Sequence, residues 1–365
     1  MIGGTLSRYF GLRFLSAVIG VFAGVFALVA IVDFVELMRR SSDDPNATAW
    51  LIWQTSIYRV PQLTERVMPF AVLIGAMSSY LNLSRRLELI VARSAGISAW
   101  QFVAPAMIVA LMLGAVATTV YNPLAAMLNE RSKRLEVEIS GNAPQAAGLK
   151  ATGNGFWVRQ LSSDGQAIIN AQTGSDQGTR LGGVTVFTFD LAGHFKERIE
   201  AKTATLKDGF WLLEDVRIYA TDAPPIDRDT FRLNTNLSSD QVRESFATPE
   251  TVPFWQLPLF IEIAEHTGIG AARYRLQYYK LLMQPFLLAA MVLLAAAVSL
   301  RFFRFGGIQK MVLSGIASGF LLYILSKVTE DVSKAELMSP ALAAVTPVLV
   351  GGLTGFVVLL YQEDG

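Results

Sequence analysis

The sequence predicts a polytopic α-helical membrane protein, with six transmembrane helices in a 3+3 arrangement around an inserted all-β domain. Three observations predict it. Apolar residues make up 52% of the 365 residues and charged residues only 17%. The apolar excess falls in long uninterrupted blocks, and these form two groups of three separated by a segment of different character. A bilayer explains the blocks, because a helix rising about 1.5 Å per residue needs roughly 20 mostly apolar residues to cross about 30 Å of hydrocarbon.

The first block, Phe14–Val32, holds 19 uncharged residues after Arg8 and Arg13. That exceeds an ordinary signal-peptide core and predicts a retained anchor. The second block runs from about Pro61 to Ser84 and the third from Ile97 to Tyr121. Leu281–Leu300, Ile308–Ser326 and a stretch within Leu337–Gln362 form the second group. Pro69, Pro105, Pro285 and Pro347 lie in or near these spans, where neighbouring helices satisfy any carbonyl that a proline frees.

Between the groups, Gly-rich and Asp-rich turns separate short runs containing Val, Ile, Thr, Phe and Trp, and this stretch reads as all-β. Asp208-Gly209 predicts a hairpin between strands around Ile199–Leu206 and Phe210–Tyr219. Phe156-Trp157-Val158 and Val184–Phe189 are apolar on both faces, which fits either a sandwich core or a lined groove. Asn129–Ile139 continues the third helix toward this insert. The expected domains are 1–134 with the first three spans, 135–250 for the β-domain, and 251–365 with a connecting segment and the last three spans.

Basic residues near helix ends stay on the cytoplasmic side. Arg8 and Arg13, then Arg85, Arg86 and Arg93, then Arg301, Arg304 and Lys310 place three connections there. Lys327 and Lys334 mixed with Glu330, Asp331 and Glu336 fit the opposite side, and Arg39 and Arg40 are a local exception. Both termini are therefore expected in the cytoplasm and the insert in the periplasm.

Several function classes drop out. With 31 basic and 30 acidic residues the net charge is +1, which gives no global signature for nucleic acid. The absence of cysteine excludes disulfides, a thiolate nucleophile and cysteine metal sites. His194 and His266 have no ligand-spaced partners, so no metal site is expected, and no catalytic set is evident. Without a GxxxxGK[ST] loop, any ATP hydrolysis belongs to another chain. Phe156, Trp157 and Trp211 lack the broad basic patch that would make them a nucleic-acid platform.

Two constellations remain. In Ser84–Gly96, Leu87, Ile90, Val91 and Ser94 are spaced like one helix face, predicting a cytoplasmic surface helix over about 85–96. It is either an interfacial anchor or a helix that seats in a partner's groove. Glu88 favours the second reading, since an acidic residue among basic anchors does not aid adhesion to anionic lipid. At the other end of span one, Asp33, Glu36, Arg39 and Arg40 either pair with one another or form a polar entrance for a charged amphiphile. Guanidinium forks suit phosphate, which makes Arg39 and Arg40 the leading headgroup candidates.

Three regions carry a family resemblance: Ser7-Arg8-Tyr9 with span one and Val32-Asp33-Phe34-Val35-Glu36, then Arg86-Leu87-Glu88-Leu89 through Gly96, and Gly315 through Tyr323. Over essentially its whole length the chain resembles the lipopolysaccharide export permease family LptF/LptG, most closely its LptG branch. The resemblance implies a transporter subunit of the inner membrane with no ATPase site and no cofactor of its own, ATP and Mg being bound by the partner. It implies pairing with an LptF permease and an LptB ATPase dimer, and delivery of lipopolysaccharide toward LptC and LptA through jellyroll-like β-domains. By position, Arg86, Leu87, Glu88, Leu89, Arg93 and Gly96 become the ATPase-coupling segment, and spans one and five the lateral gate. An apolar jellyroll interior makes Phe156, Val158, Val184, Val186 and Phe187 acyl-chain candidates. One position departs from the pattern: members of that branch often carry a basic residue where this sequence has Asp33, so either Arg39 and Arg40 retain the headgroup attraction or the lipid carries less phosphate or uses a cation bridge. The rival reading is a non-transporting membrane scaffold that binds an envelope protein through its β-domain.

Overall fold

The computed structural model describes residues 4–41, 48–88, 91, 94, 96–140, 156–162, 165–175, 179–189, 194–207, 209–220, 224–235, 249–267, 271–303 and 307–364. Six helices among them are long and apolar enough to cross a membrane. The first is α1 (Gly4–Arg40) and the second α2 (Ala49–Arg85). The third is continuous from α3 (Ala99–Val116) through a π turn (Ala117–Tyr121) into α4 (Asn122–Ser140). After the strands and a short helix, α5 (Leu257–Thr267), come α6 (Ala272–Phe303), α7 (Ile308–Lys334) and α8 (Pro340–Asp364). This is the three-plus-three order that the apolar blocks predict.

Local sequence explains several helix starts. The Thr48 hydroxyl accepts from the Leu51 amide at 3.3 Å, and Ser98 and Gln101 form a reciprocal capping box at the start of α3. The helices outrun the apolar blocks, with α7 continuing from Ser326 to Lys334. Extending a formed helix costs little per residue, so it runs beyond the point where charge begins.

The core centres on α6, where residues 288–297 are all buried. Small residues let neighbours approach it closely. A Cβ on Gly114 of α3 would lie 2.3 Å from the Pro285 Cα of α6, and one on Gly75 of α2 would lie 2.7 Å from the Val18 Cα of α1. Such close backbones are how membrane helices gain packing energy where lipid offers no hydrophobic contrast. Gly315 and Gly319 seat α7 against Met77 and Leu73 of α2, so α1 and α7 both pack on α2.

Between α4 and α5 lie six strands: β1 (Phe156–Ser162), β2 (Gly165–Ser175), β3 (Arg180–Phe189), β4 (Phe195–Lys207), β5 (Phe210–Ala220) and β6 (Ile226–Asn234). They form one antiparallel sheet in sequential order. The β4–β5 connection falls at the expected hairpin, with Lys207 opposite Phe210 and Gly209 at φ +83°, a conformation glycine adopts without a Cβ clash. Alternate residues of β2–β6 build one buried face, including Ile169, Val186, Ile199 and Leu213. The sheet curls until its first and last strands meet through a side chain. Gln160 of β1 donates to the Asn234 carbonyl at 3.2 Å and accepts from the Thr235 hydroxyl at 2.6 Å.

Candidate functional site

Consider first the bundle end where α1 begins and α2 stops. Helix α2 ends at Arg85, and Leu87 then adopts φ +61°, a left-handed conformation uncommon for a branched side chain. The turn brings Glu88 to α1, where the Tyr9 hydroxyl donates to both carboxylate oxygens at 3.1 and 3.2 Å. The Arg13 guanidinium lies 5.3 Å from the centre of the Tyr9 ring, within cation–π range. Arg86 and Arg13 both line a cavity of about 190 Å³ at this end. Leu87 and Val91 are exposed, and Gly96 closes the segment at φ +80°. Leu89 and Arg93 lie outside the described residues, as do Ile90, Ala92 and Ala95 of the surface helix expected there.

At the opposite end of α1 the four charged candidates separate into two groups. Asp33 is buried against α2, accepting from the Ser56 hydroxyl at 2.9 Å and lying 3.7 Å from the Arg59 guanidinium. It clasps two helices. Glu36 faces outward and receives both arginines, Arg39 at 2.9 Å and Arg40 at 2.7 Å. The arginine side chains are 76% and 63% exposed, so much of each guanidinium faces out while one carboxylate holds the pair together.

The β-domain candidates do not share one face. Val184 and Val186 are buried, whereas Phe187 lies on the opposite, partly exposed face because strand side chains alternate. Phe156 pairs in register with Ala171 and Val158 with Ile169, both partners being buried; the two β1 side chains themselves lie outside the described set. Trp211 Nε1 on the inner face has no hydrogen-bond partner among the described residues. Outside, the Arg217 guanidinium on β5 holds the Asp227 carboxyl of β6 below the usual carboxylate range, with Nε 2.6 Å from Oδ1.

Two polar clusters escaped sequence reading. Glu330, near the end of α7, is buried and surrounded by Lys280 at 2.8 Å, Lys334 at 2.6 Å and Lys327 at 3.6 Å. Helical spacing of Lys327, Glu330 and Lys334 at i, i+3 and i+7 was the available signal. It was hidden by taking the helix to end at Ser326. The second cluster ties the chain returning from the β-sheet to the spans. Asn122 donates to Glu65 at 2.9 Å and accepts from the Phe254 amide at 3.0 Å. Trp255 Nε1 donates to the Thr119 carbonyl in the π turn at 3.1 Å, and Gln62 donates to the Glu250 carbonyl at 2.6 Å. A π turn redirects carbonyls out of the regular ladder, which frees them for such contacts. No group of three or more potential metal ligands occurs among the described residues.

Comparison with known proteins matches residues 8–361 to the family described as lipopolysaccharide export system permease LptF/LptG. The chain is 25% identical to the lipopolysaccharide export system permease protein LptG of Haemophilus influenzae, over 98% of this chain and 97% of that protein. It is 21% identical to the protein of the same name from Escherichia coli K12, over 94% of each chain.

Proposed function

The chain belongs to the lipopolysaccharide export permease family LptF/LptG, and from that premise we propose that it is the transmembrane subunit of an ABC-type exporter. It extracts lipopolysaccharide from the inner membrane and passes it to a periplasmic β-jellyroll bridge for transport to the outer membrane. Its partners in this reading are an LptF permease, an LptB ATPase dimer that binds ATP and Mg, LptC, and LptA through the bridge. Both termini face the cytoplasm and the β-sheet lies in the periplasm, as the basic connections argue.

The observation that carries the reading is the bareness of α1. In its most apolar 18-residue window only 11% is buried, against 61% in α6. Gly20 and Gly24 lie on it with open space where a Cβ would sit, among the described residues. A G-x-x-x-G pair on an open face suits close approach by another membrane helix. A second permease seated beside α1 and α7 would leave a lateral path for lipid between the subunits. The Tyr9–Glu88 contact supports the coupling role, because a push on the segment after α2 would reach the first turns of the gate helix directly. Curling of the sheet around an apolar inner face supports acyl-chain passage once its edges part.

Purification from native membrane, with mass spectrometry of retained subunits and lipid, tests the assembly. Recovery of an ATPase, a second permease and lipopolysaccharide is expected. Recovery with an envelope protein alone, and no lipid release on adding ATP, would leave the scaffold reading instead. Glu88→Lys should uncouple ATP hydrolysis from lipid release in an assembled complex, and normal coupling in that variant would remove Glu88 from the pathway.

A further inference from the structure

A cleft of about 440 Å³ opens between α2, α6, α7 and α8. It lies at the bundle end where the chain returns from the β-sheet, since Glu250 forms part of its wall. Its floor is apolar, with Leu287, Met291 and Leu322, and its rim carries Arg66, Lys280, Lys327 and Lys334. The size is that of an ordinary ligand site, roughly 300–1,000 Å³.

The rim carries more positive charge than its ion pairs require. Three ammonium groups converge on Glu330, whereas one carboxylate balances one charge. With Glu65 and Glu250 counted, the lining holds three carboxylates against the four cations Arg66, Lys280, Lys327 and Lys334, an excess of one positive charge. Asp331 lies 4.0 Å from Lys334 but outside the cleft. Each ammonium has three donors, so a lysine that spends one on Glu330 keeps others for a ligand. Arg66 is exposed on the facing wall and adds a planar fork suited to phosphate oxygens. Cations above an apolar floor match an anionic amphiphile rather than a free ion, which would gain nothing from Leu287, Met291 and Leu322.

We infer that this cleft binds a phosphate-bearing lipid, its phosphate on Arg66, Lys327 and Lys334 and an acyl chain on the apolar floor. The inference goes beyond the export role and does not require it, because binding is read without turnover. Two lipids share the chemistry: a glycerophospholipid resident in the bundle, and the phosphorylated lipid A portion of lipopolysaccharide.

The test is native mass spectrometry of the full chain in detergent, titrated with phosphatidylglycerol, lipid A, and a diacylglycerol of matching chains. Saturable one-to-one binding of a phosphate-bearing lipid is expected, with diacylglycerol at least roughly tenfold weaker. Lys327→Gln/Lys334→Gln should weaken the phosphate lipids by about tenfold and leave diacylglycerol unchanged. Lys280 remains to neutralise Glu330 in that variant. Should the double variant fail to fold, Arg66→Gln reads the same loss from the facing wall. Met291→Trp fills the floor and should weaken all three lipids. Tighter binding of phosphatidylglycerol identifies a resident lipid, and tighter binding of lipid A a substrate station. Equal affinity for diacylglycerol and the phosphate lipids, or no loss in the charge variants, overturns the proposal.

Discussion

Helices α1 and α6 are both apolar enough to span a membrane, yet they occupy opposite environments. Residues 288–297 of α6 are wholly buried, while α1 leaves Ile19, Leu28, Ile31 and Val32 exposed by more than half. Hydropathy cannot separate them, because lipid tails and protein interiors are similarly apolar. Side-chain size can. Helix α6 presents Ala289, Ala290 and Ala295 through Ala297 to its neighbours, and Gly114 and Gly355 approach its backbone directly. The exposed face of α1 carries large branched chains around two glycines that nothing fills. One helix organises the subunit, and the other is left for something outside it.

The sharpest way to break this contrast is at Gly114. A leucine there would drive its Cβ into the Pro285 backbone, where neither helix has a flexible side chain to move. Gly114→Leu should destabilise the chain by about 3 kcal/mol or more, seen as lost expression or a collapsed melting transition in detergent. A normal melt would mean that α3 and α6 do not pack as described. A smaller effect is expected from the polar clasp between α1 and α2. Asp33→Ala removes the acceptor for Ser56 and leaves Arg59 without its carboxylate, costing about 1.5–3 kcal/mol. Asp33→Asn, which keeps an acceptor for Ser56, should recover part of that loss; wild-type melts for both variants would deny Asp33 a structural role.

These effects also mark where sequence reading succeeds. Six spans and the β insert were legible because membrane thickness sets block length and strand pleating sets the alternation of β3–β5. The role of Asp33 was not, since its partners Ser56 and Arg59 lie on another helix and spacing along α1 says nothing about them. Pairing of Glu36 with Arg39 and Arg40 was legible because it is local, at i+3 and i+4. Phe187 joins Val184 and Val186 as a candidate because the strand is apolar on both faces and the resemblance implies an apolar interior, and strand alternation sends it to the other face. Cluster formation around Glu330 needed Lys280 from 50 residues away. The π turn at Ala117–Tyr121 has no residue signature that separates it from ordinary helix.

The bare face of α1 sets the next prediction. Gly20 and Gly24 are exposed with open space at their Cβ positions among the described residues, so with Gly20→Leu or Gly24→Leu the isolated chain should melt as the wild type does. If that face seats a second permease, the same variants should lower recovery of the partner in a pull-down. Loss of stability in the isolated chain would show that the Gly20 and Gly24 face of α1 is packed within the subunit. Full recovery of the complex would move the partner to another face.

Arg39 and Arg40 are expected to have the smallest effect on stability and a separate effect on binding. Both pair with Glu36, and all three side chains face outward, where water and salt screen the attraction. The Arg39→Gln/Arg40→Gln double variant should therefore melt like the wild type and assemble normally. A lipid drawn sideways past α1 would present its phosphate at this helix end. Each guanidinium can give a phosphate two parallel charge-assisted bonds, while the other holds Glu36. Removing both charges should weaken lipopolysaccharide affinity by about tenfold and lower lipid-stimulated ATP hydrolysis in proportion. Arg39→Lys/Arg40→Lys keeps the charge but loses the fork, so it should fall between the two. If orienting α1 is the sole role of the pair, the glutamine variant will instead insert wrongly, and the lysine variant will behave as wild type in every assay. Unchanged lipid affinity in a correctly inserted glutamine variant would remove both residues from the substrate path and leave α1 only its open apolar face as a contact.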